Sequence, residues 1–243
     1  MKSLLGRIKK RIIYLLGGVP SDHVNWDHKK SIKEVLEGLR KRGYNFDCVI
    51  DIGASDGRWS RISLSEYPKA VHILLEPNKS HFSGIKKFLS EFPASHHLAS
   101  AAGQKTGNIN FCFDPSNPFG GVASDGTSGD IVSCISVSDV IRNHSIKGSV
   151  LLKLDTHGYE IPILEGIEDT FSCIDAIIIE CYTHILIPGS KIFWEICSYM
   201  DQRGYCCIDC ADPIFRSSDN TLWQIDLLFV KKEQDECRNN KYM

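Results

Sequence analysis

Short, continuous apolar runs punctuate the chain. Residues 48–52, 71–75, 150–154 and 174–179 each read as a strand buried on both faces, too short for a helix. The longer segments between them predict helices over residues 28–42 (ending at Gly43), 58–66 (with Pro68 just beyond), 78–91, 138–143, 159–171 and 190–203 (closed by Gly204). Residues 96–101, 108–113, 131–137, 205–209 and 224–230 are further strand-like runs. Strands alternating with helices imply an α/β fold, doubly wound, with a mostly parallel sheet covered by helices on both faces. Residues 114–130 stand apart as a long connection rich in Gly, Ser, Asp and Pro. A loop of that length in a compact domain is functional or disordered, and it is expected to be a mobile lid that orders over substrate.

The first apolar strand runs into Asp51-Ile52-Gly53-Ala54-Ser55-Asp56-Gly57, after which Arg58 onward can wind into a helix. A strand, a tight glycine turn and a helix N-terminus make a cradle for a nucleoside cofactor, because glycine lets the backbone turn sharply and lets a ligand approach it. The spacing D-x-G-x-x-x-G differs from the G-x-G-x-x-G of dinucleotide binders, so no pyrophosphate is expected there. On this reading, valine at Gly53 would leave the fold intact and exclude the ligand. The second strand ends at Glu76-Pro77, 25 residues after Asp51. A carboxylate at that tip can accept hydrogen bonds from two vicinal ribose hydroxyls.

At 243 residues, with 42% hydrophobic side chains, the chain can build one large domain. The divisions expected are an N-terminal helical extension over residues 1–44, a catalytic domain over 45–231 and a polar, frayed tail over 232–243. A formal charge of −2 and the lack of a long basic tract give no reason to expect a nucleic-acid partner. The ten cysteines are scattered, and Cys207-x-x-Cys210 has no second pair at zinc-finger distance, so the usage suggests a reducing cytosol. Residues 2–16 combine Lys2, Arg7, Lys9, Lys10 and Arg11 with an apolar helical face. That segment is too short to span a bilayer. It can pack on the protein or lie peripherally on a membrane surface.

The other rich segment is Lys153-Leu154-Asp155-Thr156-His157-Gly158-Tyr159-Glu160. In an open α/β sheet the ligand lies outside the carboxyl ends of the strands, which places Asp155 and His157 on the same edge as Gly53 and Glu76. Lys153 is expected to pair with a carboxylate. Glu160 falls in a first helical turn, where a capping role suffices to explain it. An acidic residue ending a buried strand is costly unless paired or used, which favours a functional Asp155. His157 is the side-chain type in this segment suited to act as a general base, with Asp155 as the alternative. A divalent metal held by Asp155, Glu180 and His184 is the less favoured use of the same region, and no metal ligand is assigned.

Together D-I-G-A-S-D-G (51–57), L-E-P (75–77), A-S-A-A-G (99–103), the run from Leu151 to Gly166, I-I-I-E (177–180) and Q-I-D-L-L-F-V (224–230) make the chain resemble the FkbM family of S-adenosylmethionine (SAM)-dependent methyltransferases. The resemblance implies a Rossmann-like seven-stranded sheet with its last strand antiparallel, and O-methylation of hydroxyls on sugars, glycans or small metabolites. It also implies that Asp51, Gly53, Ala54, Gly57 and the Glu76-Pro77 pair bind SAM, that Ser100 and Ala101 lie near its adenine, and that Asp155 lies near the methyl donor. The competing readings are a nicotinamide-dependent oxidoreductase, disfavoured by the absent G-x-G-x-x-G, and a non-catalytic SAM-binding protein. The acceptor and the oligomeric state are not legible.

Overall fold

The computed structural model describes residues 29–114, 121–124, 126 and 128–238. The chain divides into two compact units, Met1–Lys30 and Ser31–Met243. The basic amphipathic segment 2–16 lies outside the described residues, as does the middle of the 114–130 loop.

The second unit opens with α1 (Ile32–Lys41), started by a reciprocal cap: Ser31 Oγ accepts from the Glu34 N–H, and the Glu34 carboxylate accepts from the Ser31 N–H. Val35, Leu36 and Leu39 pack with Val49, Leu151, Ile178 and Leu228, so this helix is part of the main core despite preceding residue 45. Then follow β1 (Cys48–Ile52), α2 (Arg58–Glu66), β2 (Val71–Leu75), α3 (Phe82–Glu91, led by a 3-10 turn at Lys79–His81) and β3 (His96–Leu98). The chain next leaves the main sheet and builds β4 (Ala101–Ala102), β5 (Gly107–Cys112), β6 (Val122–Ser124) and β7 (Asp130–Ile135). After α4 (Val137–Asn143) it returns through β8 (Val150–Leu154), α5 (Glu160–Glu165), a 3-10 turn (Glu168–Cys173), β9 (Ile174–Tyr182), α6 (Phe193–Gln202), β10 (Tyr205–Phe215), β11 (Leu222–Lys231) and α7 (Asp235–Arg238).

Seven strands form one sheet in the order β10-β11-β9-β8-β1-β2-β3, and only β11 runs against the others. The doubly wound, Rossmann-like expectation with an antiparallel last strand therefore holds. The chain winds one way from β1 and the other way from β8, so the crevice outside their carboxyl ends is the topological switch point. The runs at 108–113 and 131–137 are strands, but they join β4 and β6 in a separate four-stranded sheet instead of widening the first.

Side-chain alternation sorts the sheet's two faces. Cys48, Ile50, Ile52, Leu152, Leu154, Ile177, Ile179, Leu227 and Phe229 fill one core; Val49, Leu151, Ile178, Leu228 and Val230 fill the other. Three elements differ from the pattern-based expectation. Strand β9 continues to Tyr182 because β11 pairs with it that far. Strand β10 continues to Phe215 through three irregularities and carries Pro213 on the sheet's outer edge, where a missing N–H costs no ladder bond. The helix expected to reach residue 171 stops at Glu165, because Gly166 lies against the backbone of Gly103 and Gln104.

The expected fraying beyond residue 231 does not hold for the described residues. Helix α7 follows β11, and Cys237 is joined by a disulfide to Cys206 on β10, across 31 residues. A pairing at that separation has no spacing signature, and it is at odds with reading all ten cysteines as thiols of a reducing compartment. No helix among the described residues is long and apolar enough to cross a membrane.

The glycine turn is required by the protein's own backbone. Gly53 has φ +73°, and a Cβ there would overlap the carbonyl oxygen of Asp155. The expectation that a side chain at Gly53 would leave the fold intact is thereby overturned. Gly53→Ala is expected to cost about 3 kcal/mol or more in urea denaturation, or to prevent folding. Gly43, at φ +94° with open space around it, is the control, and alanine there should cost only about 1–2 kcal/mol. Equal losses at the two sites would show that the overlap is relieved by a shift of β8.

Candidate active site

A cleft of about 680 Å³ runs along the carboxyl ends of β1, β2 and β8. Of the residues expected to matter, Gly53, Ala54, Glu76, Pro77, Ser100, Ala101, Asp155 and His157 all line it. Asp51 and Gly57 do not. Asp51 is fully buried on the helix-covered face, accepting a hydrogen bond from Ser60 Oγ at 2.7 Å. Gly57 caps α2 in the left-handed region at φ 82° and faces Phe88 and Leu74. Both shape the cradle from behind the cleft wall.

Glu76 organises the first half of the cleft. Its two carboxylate oxygens accept from the backbone N–H of Ser55, at 2.9 Å, and of Asn78, at 2.7 Å. The side chain thus ties the glycine turn to the tip of β2 while each oxygen keeps a lone pair for a ligand. Burial pushes its pKa up, and the two N–H donors work against that shift. Apolar walls come from Ile52, Leu75 and Ile163, with Ala101, Phe111 and Ala123 added by the small sheet and Gly121 just before β6. Sequence reading did not anticipate that the smaller sheet would form this wall.

The second half depends on strand register. Asp51 is level with Lys153, and one step on Ile52 is level with Leu154 and Ile179. The next level brings Asp155 beside Glu180, and Glu180 pairs with Asp226 across β9 and β11. Lys153 Nζ reaches Asp51 Oδ1 at 3.1 Å, Asp155 Oδ2 at 3.1 Å and the Gly53 carbonyl oxygen at 3.0 Å. Trp59 closes over it, its ring centroid 5.8 Å away. Burial disfavours the ammonium, but Asp155 and Asp51 together outweigh burial and raise its pKa. For Asp155 burial likewise opposes ionisation, and Lys153, helped by His157, holds its pKa below the usual value.

The neighbouring acids respond in the opposite sense. Burial, then the charge of Asp155, pushes Glu180 up to about 9, although Tyr182 donates to it. A protonated Glu180 shares a hydrogen bond with Asp155. Asp226 is pushed up to about 7 by burial and by Asp155. Asp212, Ile214 and Gln224 complete this end of the cleft. Sequence reading missed Asp226, Asp212 and Gln224. The signal for Asp226 was present as an aspartate inside the apolar run 224–230.

His157 sits at φ +55° in the tight turn after β8, with Nε2 3.8 Å from Asp155 Oδ1. Glu160 is buried and closes that turn, accepting from the Gly158 N–H at 2.8 Å and from Thr156 Oγ1 at 3.1 Å, so it has the structural role expected of it. The less favoured metal grouping of Asp155, Glu180 and His184 does not form. His184 instead stacks on Trp223 with ring centroids 3.5 Å apart. His157 takes its place: ligand atoms of Asp155, His157 and Glu180 lie within 4.8 Å of one another.

The sheet order and the cleft at its switch point are those of the Rossmann-like class of methyltransferases. The chain belongs to the FkbM methyltransferase family, whose domain model (Methyltransferase FkbM domain) matches residues 51–207. Membership implies SAM as methyl donor. Among solved structures, methyltransferase FkbM from Methylobacillus flagellatus KT is similar in fold, with a TM-score of 0.50 and 15% identity over 76% of this chain and 43% of its own. This chain therefore spans less than half the length of that relative. An rRNA methylase from Streptococcus thermophilus gives a TM-score of 0.49 at 10% identity, over 84% of this chain and 97% of its own. TrmK of M. capricolum, solved with S-adenosyl-homocysteine (SAH), gives 0.47 at 11%, over 85% and 70%. No curated protein matches the chain.

The raised acids predict a pH dependence of stability. A carboxyl whose folded pKa lies above its unfolded value contributes most at low pH, and that contribution is lost as pH rises through the folded pKa. For Glu180 the window runs from the ordinary carboxylate range up to about 9. Glu180→Gln keeps a hydrogen-bond donor to Asp155 but cannot ionise. Its melting temperature should gain on the wild type steadily from pH 5 to pH 9. Parallel melting curves across that range would show that Glu180 ionises without penalty.

Proposed function

We propose that the protein transfers a methyl group from SAM to a hydroxyl oxygen of a sugar, a glycan or a small polyhydroxylated metabolite. The observation that carries this reading is one cleft holding Glu76 at one end and the Asp155–His157 pair at the other, joined through the Gly53 turn. The residues fit the cofactor: apolar walls at Ile52, Leu75 and Ala101 suit a flat adenine, and the free lone pairs of Glu76 suit two ribose hydroxyls. When bound, SAM supplies the methyl group on a positively charged sulfur.

At the acceptor end, Asp155, His157, Glu180, Asp212, Gln224 and Asp226 line the wall. Such a surface offers hydrogen-bond partners to neutral hydroxyls and repels phosphates, which supports a small polyol over a nucleic acid. Holding the acceptor in line supplies the larger part of the rate, roughly 7–11 kcal/mol. His157 takes the hydroxyl proton, with Asp155 positioned to stabilise the imidazolium that forms. The grouping of Asp155, His157 and Glu180 supports a second reading, in which a divalent ion at those ligands acidifies the hydroxyl.

Two variants test the assignments. Glu76→Ala should weaken SAM and SAH alike by about 1–3 kcal/mol in calorimetric titration, because both carry the ribose. Unchanged affinity in a folded variant would remove the ribose assignment. His157→Ala should leave SAM binding intact and lower methyl transfer by ~10²–10⁴-fold. Activity abolished by a chelator and restored by a divalent ion would instead select the second reading.

A further inference from the structure

We propose that the acceptor is amphipathic: its hydroxylated part meets Gln224 and Asp226, and a hydrocarbon substituent beside that part lies against Ile32, Ile62 and Ile214. The proposal rests on the reading of this end of the cleft as the acceptor's, and it narrows the chemical class that the end would take.

The cleft reaches both faces of the main sheet. Ile52, Leu75 and Ile163 line it from one face, and Ile32, Trp59 and Ile62 from the other. On this second face β11 supplies a polar row. Gln224 and Asp226 share the face with Leu228 through the two-residue period of a strand. Both line the cleft, and neither side chain has a hydrogen-bond partner among the described residues. Neither is sealed away, so both keep polar atoms open to a ligand.

The helices that cover this face, α1 and α2, bring Ile32, Trp59 and Ile62 to the same space. Strand β10 closes its side. Ile214 is level with Gln224 and 50% exposed, and Asp212 Oδ2 accepts from the Ile32 N–H at 3.1 Å. That bond ties the start of α1 to the outer strand, so the apolar and polar walls stay side by side.

Two simpler ligands fail this space in opposite ways. A bare polyol would leave hydroxyls against isoleucines, where lost hydration is not replaced by a hydrogen bond. A wholly apolar molecule would displace water from Gln224 and Asp226 and leave both without partners. A molecule with hydroxyls on one side and a short hydrocarbon group on the other satisfies both walls. Asp226 offers an acceptor oxygen whether or not it is protonated, so the fit does not depend on its charge.

A ladder of 1,2-alkanediols tests this without assuming a particular sugar. Binding is followed by NMR on the full chain with labelled isoleucine methyl groups, with and without SAH. Affinity should rise ~3-fold for each methylene added from propanediol to hexanediol. Glycerol should bind no better than propanediol, and the methyl signals of Ile32, Ile62 and Ile214 should move. Ile214→Ser, at a half-exposed position, should cut the total gain at least ~3-fold and leave propanediol unchanged. Gln224→Ala should weaken every diol by a similar factor and keep the gain per methylene. Affinity independent of chain length would overturn the proposal. So would shifts confined to other methyl groups, or no binding of hexanediol. These outcomes are read on the wild type and hold whether or not a variant folds. A SAM titration of the same sample separates the two readings. SAM binding with a flat ladder would remove the amphipathic acceptor alone, and an intact ladder without SAM binding would remove the cofactor reading alone.

Discussion

A buried ammonium is the constraint on which the rest of this site depends. Taking Lys153 out of water is unfavourable by several kcal/mol unless oxygens replace the lost hydration. The fold supplies three: one from β1, one from the turn after β1 and one from the end of β8. Each of those oxygens is thereby tied to the others. The glycine turn cannot relax without breaking its bond to Lys153. Asp155 cannot swing into the cleft without leaving the ammonium. Gly53 must be glycine because the carbonyl of Asp155 occupies the space where a Cβ would be.

Strand register turns this local requirement into an array. With a side-chain period of two, Asp51, Lys153, Glu180 and Asp226 all project from the face covered by α1 and α2. The apolar members of those strands, Val49, Leu151, Ile178 and Leu228, fill the core on that same face. The charged residues of these four strands sit towards the strand ends, with Asp51 and Lys153 still covered by α2 and Glu180 and Asp226 opening on the cleft. The cleft is thus the place where the core runs out, and its polarity follows from position along the strands.

Much of this was legible in the chain. The strands at 48–52, 71–75 and 150–154 are continuous apolar runs, and they appear at those bounds. The residues that line the cleft from β1, β2 and β8 were found because they sit at the ends of such runs. Three things were hidden. Whether a residue at a strand end faces the cleft or the core depends on the facing helix, so the burial of Asp51 under α2 was not legible. The lengths of β9 and β10 are set by pairing with β11, a partner that local pattern does not reveal, and Asp226 was hidden for that reason. The Cys206–Cys237 bond and the small sheet depend on contacts between distant segments.

The acids at the far end of the cleft can now be sorted by what neutralises them. Asp51 and Asp155 have Lys153. Glu180 has its own proton and the donor Tyr182. The Asp226 carboxyl has no hydrogen bond or ion pair among the described residues, yet it lies in the cleft with its pKa pushed up to about 7. Leaving a half-buried carboxyl without a partner is unfavourable, and selection for stability alone would replace it with an apolar residue. On the proposed reading, its place in the cleft with Gln224 would supply the reason to keep it. A hydroxyl of the acceptor, other than the one that receives the methyl group, can donate to it and remove the penalty. The same carboxyl would meet a phosphate with repulsion. On the proposed reading, the wall that would accept a polyol's hydroxyls is also one that would disfavour an anion, and both effects would come from the row of acids that the strand register builds.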